Sequence, residues 1–237
     1  MKKKYKIVFT GGSGRFGSVL KKIQTEHKIL FPDKKDLNIL SFTSIRKYLL
    51  KKKPDIFIHA AALSRPMDIH EKNINKSIDV NILGTANVTK ACFEKNIKLI
   101  YFSTNYVYPS TKGNYNEKSP LFPINNYAWS KLGGEAAVQL YKNSLVLRIC
   151  MTEKPFTHKE AFTDVKTNFI FHEDIAKTLF KILDFNGIIN IGGKIQSVFN
   201  FARKYNKNIK KISAKGKNFP LNPSMDISRL KKLLRKK

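Results

Sequence analysis

Cysteine and acid are what this chain is short of. Its 237 residues include two cysteines, Cys92 and Cys150, each set in an apolar stretch. That count excludes a disulfide framework as the organising principle and suits a reducing, cytoplasmic compartment. No run of about 18 apolar residues occurs, so no membrane span is expected. The basic N-terminus reaches a glycine cluster too early to hold the apolar core of a secretory signal. The histidines, His27, His59, His70, His158 and His172, lack metal-ligand spacing, and no metal is expected. Acidic residues number 17 against 45 lysines and arginines, a formal net charge of +28. Such an excess raises the question of nucleic acid. The lysines, however, run along the whole chain among many Asn and Ile residues. No aromatic-basic array that would stack bases accompanies them. The reading is solvated lysines, no specific nucleic-acid partner, and an attraction for anionic small molecules.

With 42% of residues hydrophobic, the chain suits one domain with a small appended cap. Strand-like apolar runs lie at 6–10, 29–31, 56–60, 99–103, 145–149 and 188–191. Helical patterns lie between them at 14–26, 44–52, 74–95, 127–142 and 173–184. This alternation predicts an α/β fold, a Rossmann-type doubly wound parallel sheet. The strands are almost continuously apolar, as strands buried on both faces should be. After Gly192 the chain turns rich in Lys and Asn, with Pro220 and Pro223, and is expected to be less regular.

The first strand runs straight into "TGGSGRFG". Gly11 can take the sharp turn out of the strand, Gly14 lets backbone approach a ligand, and Gly17 lets the next helix pack on the sheet. A pyrophosphate suits the free N–H groups of such a helix start. The second strand ends "KILFPDKKDLN", with no acid directly at its end to hold an adenine ribose. Asp33 is a possible substitute. Lys34 and Lys35 read equally as ligands for a 2′-phosphate or as two more exposed lysines. Asp36 and Leu37 follow, where adenine would lie. The third strand ends in Ala60, Ala61 and Ala62, small enough to pass close under a cofactor.

The fourth strand delivers Ser103 and Thr104 to the edge where open parallel sheets bind ligands. Further on, Tyr127 and Lys131 stand four apart, on one helical face. A fixed ammonium beside a phenol lowers its pKa from near 10, so that the phenol can exchange a proton near neutrality. Thr104 could then orient a substrate oxygen.

Several stretches, in order, resemble the extended short-chain dehydrogenase/reductase superfamily, most of all its dTDP-4-dehydrorhamnose reductase group. They are "TGGSGRFG", "VNILGTANVTKAC", "YFSTNYVYPSTKGNYNEKSPLFPINNYAWSKLGGE", "LVLRICM", "GIINIGG" and "NPSMDISRLKKLL". The resemblance implies a catalytic set of Thr104, Tyr127 and Lys131. It implies a pyrophosphate loop of Gly11, Gly14, Arg15, Phe16 and Gly17, with Asp36 and Leu37 near adenine and Ala60 to Ala62 under the cofactor. Asn81 would support the site. Arg148 to Met151 would pass near the nicotinamide, with Arg148 read equally as a structural ion-pair partner. The implied activity is NAD(P)-dependent reduction of a nucleotide-activated keto sugar, with NADP or NAD as cofactor, in a homodimer. A sugar-nucleotide epimerase and a non-catalytic, cofactor-binding regulatory subunit are the alternatives. The implied organisation is a dinucleotide domain over 1–150, rejoined by 169–192, with 151–168 and 193–237 as a truncated substrate cap. Two departures stand out. Asn105 and Tyr106 replace the acid pair that sugar dehydratases use, and the excursion before Phe169 is shorter than the family's.

Overall fold

The structure is a computed structural model and describes residues 3–215 and 219–235. Five strands open the main sheet: β1 (Lys6–Thr10), β2 (Lys28–Leu30), β3 (Ile56–His59), β4 (Lys98–Thr104) and β5 (Ser144–Ile149). With Gly187–Ile191 they form a six-stranded sheet in the order Gly187–Ile191, β5, β4, β3, β1, β2. Every pairing in it is parallel. Each of the six apolar runs becomes a strand. The chain leaves β1 for β2 on one side and then crosses to β3 on the other. The loops after β1 and β3 therefore diverge and open a crevice between them, the switch point at which such sheets bind ligands.

The α-helices among the described residues are α1 (Arg15–Leu20), α2 (Phe42–Lys52), α3 (Ile69–Lys72), α4 (Ile74–Ser77), α5 (Gly84–Glu94), α6 (Asn126–Gln139) and α7 (His172–Leu179), with the short Val198–Ala202 and, near the C-terminus, Ser228–Arg235. Side chains alternate across a strand, so β1 sends Ile7 and Phe9 to one face and Val8 to the other. On the first face Ile7, Phe9, Ile58 and Leu147 pack against Leu20, Ile175, Leu179 and Leu230. On the second, Val8, Phe57, Leu99 and Val146 pack against Leu49, Val88, Cys92 and Val138. Helices thus cover both faces, as the continuous apolar strands require.

Three helical segments differ most from expectation, and one of them, α7, ends at Leu179, short of the expected 184. α1 stops at Leu20, short of the expected 26. The following "KKIQTEHK" offers one apolar residue, Ile23, so another turn would bury little. The 74–95 segment is not one uniform helix: between α4 and α5 the turn Ile78–Leu83 is wound more widely, with i→i+5 bonding. Such a bulge re-aims side chains, here that of Asn81.

Beyond β5 the chain builds a second small layer. Glu160–Phe162 pairs with Lys210–Ile212, and Lys166–Thr167 pairs with Gln196–Ser197. Its own apolar cluster contains Phe156, Val165, Phe171, Val198, Phe201 and Ile209. This layer faces the C-terminal ends of β1, β3 and β4 across a cleft of about 1510 Å³.

Candidate active site

The cleft floor begins at the glycine turn. Gly14 N–H donates to the Gly11 carbonyl at 3.0 Å, closing the turn. Gly11 has φ +90°, and a Cβ there would lie 2.9 Å from the Ala61 nitrogen. A side chain at Gly17 would come within 2.4 Å of the Gly11 oxygen. Glycine at these two positions therefore lets the turn lie directly against the Ala60 to Ala62 stretch from β3 and lets α1 start against the turn. With six residues α1 carries little dipole, so the exposed backbone of the turn, not the helix, makes this cradle. Gly11, Gly14, Arg15, Phe16, Gly17, Ala60, Ala61 and Ala62 all line the cleft.

Under the turn sits His59, fully buried. Its Nδ1 is 2.9 Å from the Thr10 hydroxyl and its Nε2 is 3.1 Å from the Thr85 hydroxyl. Thr85 donates its own hydrogen to the Asn81 carbonyl at 2.8 Å, so it accepts from Nε2–H. Thr10 then donates to Nδ1, which fixes a neutral tautomer. Burial, with Lys131 adding to it, pushes His59 down to about 3. The histidine is a structural strut.

Thr104 ends β4, and α6 brings Tyr127 and Lys131 to the same cleft. Asn125 caps α6, its side chain accepting from Ala128 N–H at 2.9 Å, so Tyr127 is held in the first turn. Asn81 locks this helix to the loop after β3. Its amide donates to the Ser130 hydroxyl at 2.8 Å and to the Leu63 carbonyl at 2.9 Å, and accepts from Leu63 N–H at 2.8 Å.

The electrostatics depart from the simple phenol–ammonium picture. Burial raises the Tyr127 phenol, against the hydrogen bond of the Thr104 hydroxyl and the charge of Arg65, which lower it. Lys131 is 3% exposed, and its Nζ lies 4.2 Å from the centre of the Tyr101 ring. Burial brings this lysine down to about 7, with Glu135 pulling the other way. Glu135 sits one turn further along α6 but is already engaged. Arg148 Nη2 donates to it at 2.6 Å and the Ser103 hydroxyl donates to it at 2.6 Å. Lys131 is thus a buried amine close to neutrality, poised to recharge when a negative charge forms beside it.

Arg148 corrects the expectation that it reaches the nicotinamide. It is 1% exposed, paired with Glu135, and donates to the Tyr108 hydroxyl at 2.8 Å. Its role is the structural one, because β5 points it under α6 and away from the cleft. Asp36 and Leu37 also lie outside the cleft lining. Leu37 is in the core beside Ile45 and Leu49. The Asp33 carboxylate caps its own turn, its Oδ1 accepting from the N–H groups of Lys35 and Asp36 at 2.8 and 2.9 Å, and the residue is exposed outside the cleft lining. Lys34 and Lys35 are exposed.

Sequence reading missed Arg65, Glu153 and His172, which line the cleft. It also missed His70, buried against Tyr127 with ring centres 5.1 Å apart and its Nδ1 2.7 Å from the Ser77 hydroxyl. Phe156, Phe162, Phe169 and Phe219 form the opposite wall, with Lys159 and Lys210 among them.

Comparison with known proteins places these features in a family. Residues 5–154 match the family model described as the RmlD substrate binding domain. Methionine adenosyltransferase 2 subunit beta of Xenopus laevis is 35% identical over 114 residues, 48% of this chain and 34% of that protein. The chain thus matches about a third of that relative's length. The structure of dTDP-4-dehydrorhamnose reductase from Bacillus anthracis, in complex with NADP, superposes with TM-score 0.87 at 23% identity over 97% of this chain and 92% of that one. That of a hypothetical dTDP-4-dehydrorhamnose reductase from Sulfolobus tokodaii gives TM-score 0.84 at 25% identity over 96% and 94%. With the model matched over more than half its length, the chain belongs to the RmlD substrate binding domain family.

Proposed function

We propose that this chain is an NAD(P)-dependent reductase that converts the keto group of a nucleotide-activated sugar to an alcohol. The observation that carries the reading is the convergence of Thr104, Tyr127 and Lys131 on one cleft whose far end is the glycine turn. The cleft, about 1510 Å³, exceeds the usual range of roughly 300–1,000 Å³ for a single ligand and has room for two. The glycine turn and Ala60 to Ala62 would hold NADP or NAD, which supplies the hydride when bound. Thr104 hydrogen-bonds the carbonyl oxygen and orients it. The Tyr127 phenol gives its proton to that oxygen as the hydride reaches carbon, so the product is a neutral alcohol. The phenolate left behind favours the charged form of Lys131, and the tyrosine recovers its proton from solvent. Residues 151–168 and 193–215, with Phe219, act as the substrate cap. The expected cap over 193–237 is too long, because the C-terminal helix Ser228–Arg235 packs Leu230 on the main sheet instead. The cap's phenylalanine wall takes the nucleotide end, and Lys159 and Lys210 meet the diphosphate charge.

A homodimer is part of the same reading. Ile78 is 40%, Leu83 51% and Trp129 49% exposed, all on the face built by the wide turn, α5 and α6. Mixing the protein with NADPH or NADH and a 4-keto sugar nucleotide tests the activity. Loss of nicotinamide absorbance supports it, and Tyr127→Phe should abolish that loss. The adenosyltransferase-subunit relative favours a second reading, a cofactor-binding subunit without turnover. Tight NADPH binding with no oxidation by the wild-type protein would select it.

A further inference from the structure

At the mouth of the cleft two arginines converge on one carboxylate. Arg15 follows Gly14 in the glycine turn, and its guanidinium donates to Oε1 of Glu153. Arg65, in the loop after β3, brings its Nη1 to 3.7 Å from the same oxygen. Both arginine side chains are about half exposed, at 57% and 49%, while that of Glu153 is 17% exposed. His172 lies beside the group, within reach of the charges of Glu153, Arg15 and Arg65. Burial alone would raise the Glu153 carboxyl, but the Arg15 hydrogen bond and the Arg65 charge hold it below its usual value. The acid is therefore charged at neutral pH. All four residues line the cleft.

Two guanidinium groups reaching one oxyanion from neighbouring loops, here those after β1 and β3, is the arrangement that binds a phosphate. In this protein the chain's own carboxylate fills that place. We infer that Glu153 is an internal stand-in for a phosphate of the bound dinucleotide, and that Arg15 and Arg65 exchange Glu153 for that phosphate on binding. The inference rests on the dinucleotide reading proposed above and adds a device to it. The exchange restrains affinity, because the ligand must displace a charge-assisted contact and then sit near the displaced carboxylate. It also ties the glycine turn to the segment after β5 when no ligand is present.

The test is NADPH affinity, read by nicotinamide fluorescence, in the wild type and four variants. Glu153→Gln and Glu153→Ala should each bind NADPH about fivefold tighter, the size of one like-charge contact in a partly exposed site. Arg15→Ala and Arg65→Ala should each bind it several-fold more weakly. Ligand-free melting of every variant checks folding, and inorganic pyrophosphate as competitor should follow the same order. Glu153 variants that bind NADPH as the wild type does, or more weakly, overturn the inference while leaving the dinucleotide reading intact. Failure of the wild type and every variant to bind either NADPH or NADH overturns both.

Discussion

Lys131 shows how burial decides the behaviour of a single group. Its ammonium has a ring face for company and no free carboxylate, and its pKa falls from 10.5 to about 7. The unfolded chain then holds this proton more tightly than the folded one. Below pH 7 both states are charged and the cost of the buried cation is fully present. Between pH 7 and the ordinary value the folded lysine is neutral while the unfolded one is not, so stability climbs with pH. Urea unfolding of the ligand-free protein at pH 7 and pH 9 should show the wild type gaining on the order of 2 kcal/mol relative to Lys131→Met. Parallel behaviour of the two proteins would mean that the lysine keeps its charge in the fold. Residue chemistry of this kind was half legible. Tyr127 and Lys131 announced themselves by helical spacing. The pairing of Arg15 with Glu153 spans 138 positions and leaves no local pattern. Arg148 is ambiguous in sequence because a buried arginine at a strand end reads the same for a ligand as for an ion pair. Only the placement of Glu135 beneath it decides.

At the scale of elements, the strands were legible because burial on both faces leaves them nothing but apolar residues. Helix boundaries were less so. α1 has a helical pattern that outlasts its buried face, and the wide turn before α5 has no signature in composition. α6 carries Tyr127 and Lys131, the residues proposed to do the chemistry, and its first turn depends on Asn125. Asn125→Ala should cost about 1 kcal/mol of stability. Because Tyr127 stands in that turn, turnover of the keto sugar should fall while NADPH affinity stays near the wild-type value. Urea melts and steady-state kinetics read the two effects. A drop in NADPH affinity as large as the drop in turnover would show that the cap supports the whole cleft.

Over the whole molecule, one sheet with two apolar faces sets the crevice, and a second apolar cluster closes it from across the cleft. The cap was the least legible part: its strands are two or three residues long, and its phenylalanines come from distant segments. The exposed Ile78, Leu83 and Trp129 are the basis for the proposed dimer. Trp129→Glu should convert a dimer to a monomer in sedimentation velocity, and an unchanged sedimentation coefficient would place the interface elsewhere. The net charge of +28 opposes self-association at low salt, so the comparison belongs at physiological ionic strength.

The most direct test of the account is a single titration carried into turnover. Wild type and Tyr127→Phe are each loaded with NADPH, with binding followed by nicotinamide fluorescence, and a 4-keto sugar nucleotide is then added. The account predicts equal binding, oxidation by the wild type alone, and a rate in Tyr127→Phe lower by at least about 10²-fold. Oxidation at the wild-type rate by Tyr127→Phe, or no binding of either NADPH or NADH by either protein, would contradict it.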